Sequence, residues 1–116
     1  MLGLLGAALE ASGRSTEAVE TLRQARTLVP NSPIVLANLG TALLSVDENQ
    51  EAAELYREIN RLIPNQPQVL ANYSAALERI GVTPEALAAL QGAVHLGSRA
   101  GLQIPANWRL RLGRLL

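Results

Sequence analysis

The sequence predicts an all-α protein, an α-solenoid of three helix-turn-helix repeats followed by a helix that is a cap or an incomplete repeat. The first observation is an internal copy: LVPNSPIVLANLGTAL, Leu28 to Leu43, returns 34 residues later as LIPNQPQVLANYSAAL, Leu62 to Leu77, with ten of sixteen positions identical. The second is the spacing of apolar residues by three and four, which is typical of one helix face. The third is the position of Pro and Gly between these apolar segments, where the chain must turn.

The 34-residue period fits three copies without an insertion or a deletion. Positions with the same residue type in two or three copies include Leu5, Gly6, Leu39, Gly40, Leu43, Leu77, Ala18, Ala52 and Ala86. We therefore divide the chain into repeats at 1–32, 33–66 and 67–98, a loop at 99–105, and a final helix at 106–116 that caps the array or begins a fourth repeat.

Each repeat is predicted to hold two helices, and their bounds follow from periodicity and from helix-end signals. The predicted helices lie near 2–12, 15–28, 33–45, 49–62, 67–79, 84–96 and 106–115. The N-terminal segment MLGLLGAALEASG resembles the apolar part of a secretory signal, but it lacks a basic leader and the repeat runs through it. We interpret it as a structural helix.

Helix ends have their own signals. Ser32-Pro33 supplies an N-cap and a Pro at the first helical position, and Thr83-Pro84 is expected to do the same for the sixth helix. Gly13 and Gly81 lie where the chain must reverse, and Gly97 is expected to cap the sixth helix at its C-terminal end.

Small residues are expected at the contact between the two helices of a pair. Gly6 and Gly40 are predicted to face Ala18 and Ala52, so that the two backbones approach closely. Large aliphatic residues then fill the surrounding space, and Leu36 and Leu70 are predicted to be core residues.

Composition excludes several kinds of function. The chain has no Cys, one His, ten Arg and no Lys, so disulfides, thiolate metal sites and a Cys nucleophile are absent. His95 has no accompanying ligand cluster and is interpreted as a solvated helix residue. No nucleophile, base and orienting group can be assembled, so we expect neither enzymatic activity nor a cofactor or metal.

Charge and hydropathy also bear on partners and location. Net charge is zero and supplies no argument for nucleic acid or an acidic membrane surface, although Arg99, Arg109, Arg111 and Arg114 make the last thirty residues basic. No segment has the roughly 18 to 20 apolar residues that a membrane span needs. A cytoplasmic location is slightly favoured, and the use of Arg without Lys is typical of a GC-rich bacterial genome.

These repeats resemble the tetratricopeptide repeat family. The residues that match its pattern in the three copies are Leu5-Gly6, Leu9, Ala18, Leu22, Ala25 and Pro30; Leu39-Gly40, Leu43, Ala52, Tyr56 and Pro64; and Leu77, Gly81, Ala86, Leu90 and Ala93. The sequence departs from the family in having Leu2, Leu36 and Leu70 at the family's Trp position, Tyr73-Ser74 for Leu-Gly, and Ser98 for Pro.

The resemblance implies a protein-binding module whose first helices line a concave groove for an extended peptide or a partner helix. The groove positions that it implies are Ile34, Ala37, Asn38, Thr41, Leu44, Gln68, Ala71, Asn72, Ala75 and Arg79. Asn38 and Asn72 are the best single candidates, because an amide that both donates and accepts can pair with the backbone of an extended ligand.

A clamp for the C-terminal carboxylate of heat-shock chaperones, known in the family, is not expected, because Arg79 is the only cation among these positions. Trp108 with Arg109, Arg111 and Arg114 is interpreted as a charged helix face. Two alternatives stay open: a self-associating scaffold joined through apolar ends, or the repeat portion of a larger protein, such as one with a glycosyltransferase or sulfotransferase domain or one that assembles the cell envelope.

Overall fold

A computed structural model describes residues 14–116, and within this range the chain forms six α-helices and no strands. They are α1 Ser15–Leu28, α2 Pro33–Ser45, α3 Asn49–Leu62, α4 Pro67–Arg79, α5 Thr83–Arg99 and α6 Ala106–Leu115. The all-α prediction is therefore confirmed. The helix predicted near 2–12, with Gly6 and the turn at Gly13, lies outside the described residues.

Helix ends follow the predicted signals in two places. The Ser32 hydroxyl accepts a hydrogen bond from the Val35 backbone N–H at 3.4 Å, as expected of an N-cap, and Pro33 begins α2. Gly81 takes the left-handed conformation, with φ 85°, at the turn between α4 and α5.

The predicted ends of α5 are wrong. Its N-cap is Val82, and Thr83 is already helical and supplies no capping hydrogen bond. At the other end the helix continues to Arg99, and Gly101 turns the chain with φ 75°. Gly97 lies inside the helix, where a Cβ atom would stand 2.7 Å from the Cδ1 of Ile104, so its role is to admit that side chain.

Each helix packs against the next one along the chain, and α2 also touches α4. The main core joins α1 to α5 around Leu22, Leu36, Leu43, Tyr56 and Leu77. A second cluster holds α6 against α4 and α5, with Ala71, Leu90, Ala93, Ile104 and Trp108. Leu36 is fully buried as predicted, whereas Leu70 is only partly buried at the edge of the second cluster.

Gly40 sets the approach of α2 to α3. A Cβ atom at this position would lie 2.8 Å from Cζ and 3.0 Å from the hydroxyl oxygen of Tyr56. Gly40 therefore faces the aromatic ring of Tyr56, one helical turn beyond the predicted Ala52. The Tyr56 ring is fully buried and its hydroxyl lies 3.3 Å from the Thr41 hydroxyl, so the ring has little freedom to move.

In the next pair Ser74 takes the place of Gly40. Its side chain is fully buried, and its hydroxyl donates a 2.7 Å hydrogen bond to the Ala86 carbonyl on α5. A buried hydroxyl needs such a partner, since leaving it unpaired costs about 1–3 kcal/mol. At this position, α4 is therefore joined to α5 by a hydrogen bond, whereas the equivalent Gly40 of α2 packs against the ring of Tyr56 on α3.

Two glycine substitutions test this packing. We expect Gly40→Ala to lower the free energy of unfolding by about 1 kcal/mol, because a steric cost of about 1–3 kcal/mol exceeds the gain in helix propensity. Gly113→Ala is the matched control, since no atom lies within 4 Å of its Cβ position. It should raise the free energy of unfolding by about 0.5–1 kcal/mol. Urea unfolding of both variants measures the difference, and equal stabilisation would contradict the Gly40 contact.

Candidate functional site

The first-helix face is the surface formed by α2, α4 and α6, which are the helices that follow each long connection. Helices α2 and α4 contain all ten positions that the sequence analysis assigned to a groove, and nine of them are exposed or partly buried on this face. Four of them are exposed: Ile34, Thr41, Gln68 and Arg79. Five are partly buried: Ala37, Asn38, Leu44, Asn72 and Ala75.

Ala71 departs from the prediction. Its side chain is 2% exposed and belongs to the second core cluster with Leu90, Ala93 and Trp108. The reason is that α4, α5 and α6 meet in this cluster, to which α6 contributes Trp108. Ala71 therefore offers no surface to a partner.

The two candidate Asn residues differ in their surroundings. The side-chain carbonyl of Asn72 accepts a 3.0 Å hydrogen bond from the Gln68 amide one turn earlier on the same helix. Within residues 14–116, no hydrogen bond engages the Asn38 side chain. Among these residues the donor and the acceptor of Asn38 have no partner, whereas Asn72 engages its side-chain carbonyl and retains its amide N–H groups.

Thr41 is engaged within its own hairpin. Its hydroxyl donates to the Ala37 carbonyl at 3.1 Å and lies 3.3 Å from the Tyr56 hydroxyl on α3. Arg79 is engaged as well, donating to the Leu44 carbonyl at 2.9 Å and contacting the Asn49 side chain at 3.4 Å. A cation at the last carbonyls of α2 interacts favourably with that helix end.

Helix α6 is fixed to α4 by an ion-pair network. The Arg111 guanidinium donates to Glu78 at 3.2 Å and to the Ser74 hydroxyl at 3.1 Å, and Arg114 also pairs with Glu78. Ser74 thus joins three helices, since it donates to α5 and accepts from α6. Trp108, which is also on α6, is 7% exposed and belongs to the second core cluster.

The electrostatics of this network favour an ionised Glu78. Burial pushes the pKa of Glu78 upward, but the hydrogen bonds from Arg114 and Arg111 and their positive charges outweigh it, so the pKa is lowered. The carboxylate is consequently a stable acceptor for both guanidinium groups at neutral pH.

A hollow of about 460 Å³ opens on the first-helix face between α4 and α6. Its lining residues are Ala75, Glu78, Arg79, Asn107, Arg111 and Arg114. Three guanidinium groups and one carboxylate meet there, which leaves an excess positive charge. Arg111 and Arg114 of α6 therefore add two cations to Arg79, which is the single cation among the ten predicted positions.

Sequence reasoning missed Ser74 and Asn107 as parts of this site. A signal for the network existed, because Trp108 and Arg111 are three residues apart and so lie on one side of a helix. What they would face could not be read from the spacing, since the connection from Ala100 to Pro105 determines where α6 docks.

Among residues 14–116, no group of three or more His, Asp or Glu side chains is arranged to hold a metal ion. In the same range, no helix is both long enough and apolar enough to cross a membrane. His95 is exposed on α5.

Comparison with family models finds no match for the sequence, and neither does comparison with curated proteins. Solved structures do match. The first tetratricopeptide domain of Spaghetti (RPAP3), bound to the HSP90 peptide SRMEEVD, has a TM-score of 0.88 over 98% of this chain and 86% of its own, with 15% identity. The Sgt2 domain from Aspergillus fumigatus has a TM-score of 0.85 over 98% and 74%, with 19% identity.

A structure of MamA from Desulfovibrio magneticus RS-1 has a TM-score of 0.89 and 20% identity. The match covers 98% of this chain and 62% of the MamA chain. At such identities the similarity shows the fold alone. This chain has the tetratricopeptide-repeat fold, an all-helical solenoid, which confirms the resemblance seen in its sequence.

The lowered pKa of Glu78 predicts that the docking of α6 weakens in acid. Since the folded-state pKa lies below the unfolded value, the ion pairs stabilise the fold above that unfolded pKa, and the stabilisation is lost as pH falls through the folded pKa. Fluorescence of Trp108, the single Trp, reports the docking. We expect its acid transition to be weaker in Glu78→Gln than in the parent chain, and unchanged in the control Glu54→Gln, an exposed acid. An identical transition in Glu78→Gln would contradict the assignment.

Proposed function

We propose that this chain is a non-catalytic protein-binding module that holds a peptide or a partner helix on its first-helix face. The observation that supports the proposal most directly is that the amide of Asn38 has no hydrogen-bond partner within residues 14–116 and lies near the small side chains of Ala37 and Ala75. A side chain whose donor and acceptor are both free can bind a ligand backbone in either direction, whatever the ligand's side chains.

The small size of Ala37 and Ala75 supports an extended ligand. Neither side chain projects far from its helix, so a backbone can approach Asn38 and Asn72 without a steric barrier. The spacing of these two residues by one repeat matches a ligand that crosses successive first helices. Thr41 and Arg79 take a smaller part, because their polar groups already have partners in the fold.

The charge around the hollow between α4 and α6 suggests the chemistry at one end of the ligand. Arg79, Arg111 and Arg114 outnumber Glu78 there. An acidic side chain is the group that such guanidinium groups bind best. The ligand segment over α6 is therefore expected to be acidic, while the segment over α2 has no charge requirement.

The neighbours support this proposal in a general way. One of them is the Spaghetti domain bound to an HSP90 peptide. That chain and this one share a fold, so a peptide is a reasonable class of ligand to propose for this chain. The residues that recognise the peptide in that domain are not transferred to this chain, because the two sequences share only 15% identity.

Substitution of both Asn residues tests the proposal. Peptides selected from a random library against the parent chain should bind Asn38→Ala/Asn72→Ala about 5- to 150-fold more weakly, because each lost amide removes about 0.5–1.5 kcal/mol. Titration calorimetry with one selected peptide measures the change. Gln91→Ala, which removes an exposed amide from the outer helix α5, is the control and should bind as the parent does. Equal affinity for the double variant would refute the role of the two Asn residues.

A self-associating scaffold is the second candidate, and one observation favours it. At the C-terminal end of the described array, Leu110 and Leu116 are exposed. Gly113 has no atom within 4 Å of its Cβ position, whereas Gly40 packs against a side chain of the next helix. The end of a solenoid is normally covered by polar groups. The scaffold hypothesis also uses the apolar N-terminal segment, which lies outside the described residues.

Light scattering distinguishes the two candidates. A simple binding module should keep the mass of one chain, 12.4 kDa, at every concentration. For a scaffold we expect the mass to rise with concentration, and Leu110→Ser/Leu116→Ser should return it to the single-chain value. A constant mass in the parent chain would remove the scaffold hypothesis.

A further inference from the structure

Exposed apolar side chains concentrate on one edge of the molecule. We define the loop edge as residues 26–34, 60–68 and 97–107, the three stretches that connect a second helix to the next first helix. Of the eight large apolar residues that are exposed within 14–116, six lie on this edge: Leu28, Val29, Ile34, Leu62, Ile63 and Leu102. Single exposed apolar residues are ordinary, but a concentration of this kind marks an interaction surface.

The stretches are neighbours in space. Each connects the end of a second helix to the start of a first helix, so all three lie at the same end of the helix pairs. Contact between the second and third stretches is direct, because Gln66, Pro67, Leu102, Ile104 and Pro105 line one hollow of about 350 Å³. The loop edge is therefore one surface that continues from repeat to repeat.

Charge is segregated between this edge and the opposite one. The loop edge contains no acidic residue, and α1, α3 and α5 each place an Arg in the last turn there: Arg26, Arg61 and Arg99. The first turns of the same helices, at the opposite edge, each contain an acid: Glu17, Glu51 and Glu85. The net charge of zero conceals this separation, so the absence of an electrostatic argument for an acidic membrane surface holds only for the chain as a whole.

Two of the three Arg side chains are available to a partner. Arg26 is paired with Glu58 at 3.0 Å, and this pairing neutralises the acid closest to the edge. Arg61 and Arg99 are exposed and form no ion pair with any residue in 14–116. Arg61 shares a hollow on the outer face of α3 with Glu54 and Glu58, which lie one or two turns back from the edge.

We propose that the loop edge binds the surface of an anionic lipid bilayer. In this arrangement Leu28, Leu62 and Leu102, one from each stretch, enter the headgroup region, while Arg61 and Arg99 lie at the level of the anionic headgroups. Aliphatic side chains beside Arg, without acids, satisfy both requirements of a peripheral membrane contact.

The chemistry of the edge favours lipid over a protein partner. Protein hot spots are typically Trp, Tyr or Arg residues in a central, well-packed pocket. Here the one aromatic residue beside the edge, Trp108, is 7% exposed, and the available apolar groups are aliphatic and spread over three stretches. The same pair of residue types, an Arg and a following Leu, is repeated at Arg26–Leu28 and Arg61–Leu62. Such repetition suits a lipid bilayer, because its surface is chemically uniform, whereas a protein partner presents a different residue at each position.

Co-sedimentation with vesicles tests the proposal on the whole chain. The probes are vesicles of phosphatidylcholine alone and of phosphatidylcholine with a minority of phosphatidylglycerol. The parent chain should bind the anionic vesicles more tightly, and this preference should fall as salt is added. Arg99→Ser should weaken binding to anionic vesicles about fivefold. Leu28→Ser/Leu62→Ser/Leu102→Ser should weaken it at least tenfold, and none of these positions belongs to the first-helix groove.

Matched controls separate the edge from general stickiness. Arg14→Ser removes one charge from the opposite edge, and Ala88→Ser changes an exposed apolar residue of α5 that lies outside the loop edge and outside the first-helix face. Both controls should bind vesicles as the parent does, and circular dichroism should show that every variant is folded. The proposal is overturned if the parent binds neither vesicle, which would leave an acidic protein as the occupant. It is equally overturned if the parent binds both vesicles alike, or if the edge and control variants lose the same affinity.

Discussion

The close approach of paired helices is the constraint on which this fold depends. Helix α2 buries its apolar face against α3 only because Gly40 leaves room for the buried ring of Tyr56. The next pair meets the same constraint with Ser74, whose hydroxyl bonds to a backbone carbonyl of α5. Since each helix packs mainly on its chain neighbours, the whole array is a succession of such contacts, and a larger residue at one of them displaces everything beyond it.

Ser74 also links the fold to the candidate site. A Gly at this position would fill the hairpin equally well, but it would offer nothing to the Arg111 guanidinium that docks α6. With α6 in place, Ala71 is buried and the basic hollow beside Arg79 is formed. One hydroxyl therefore joins the packing of a hairpin to the shape and charge of the surface that we propose as a binding site.

The proposed groove and the loop edge have different origins. The groove owes its character to the small side chains of Ala37 and Ala75, which lie near Asn38 and Asn72. The edge owes its charge to helix direction, because acids stabilise the first turns of α1, α3 and α5 and cations their last turns. Parallel second helices place all these cations at one end of the array. The charges that stabilise each helix end therefore add up, because the helices stack in parallel, to an acidic edge and a basic edge of the molecule.

The sequence by itself determined the helices and their order, because a 34-residue period, apolar spacing and Pro or Gly between segments act locally. It failed at α5, where Gly97 reads as a cap but packs against Ile104, a contact that depends on how the chain returns from α5. Several features required the tertiary structure: the burial of Ala71, the cluster around Glu78, and the exposed apolar edge. Each of these depends on where α6 docks or on how neighbouring helices stack, and side-chain periodicity along one helix contains no information about the partner that will cover it.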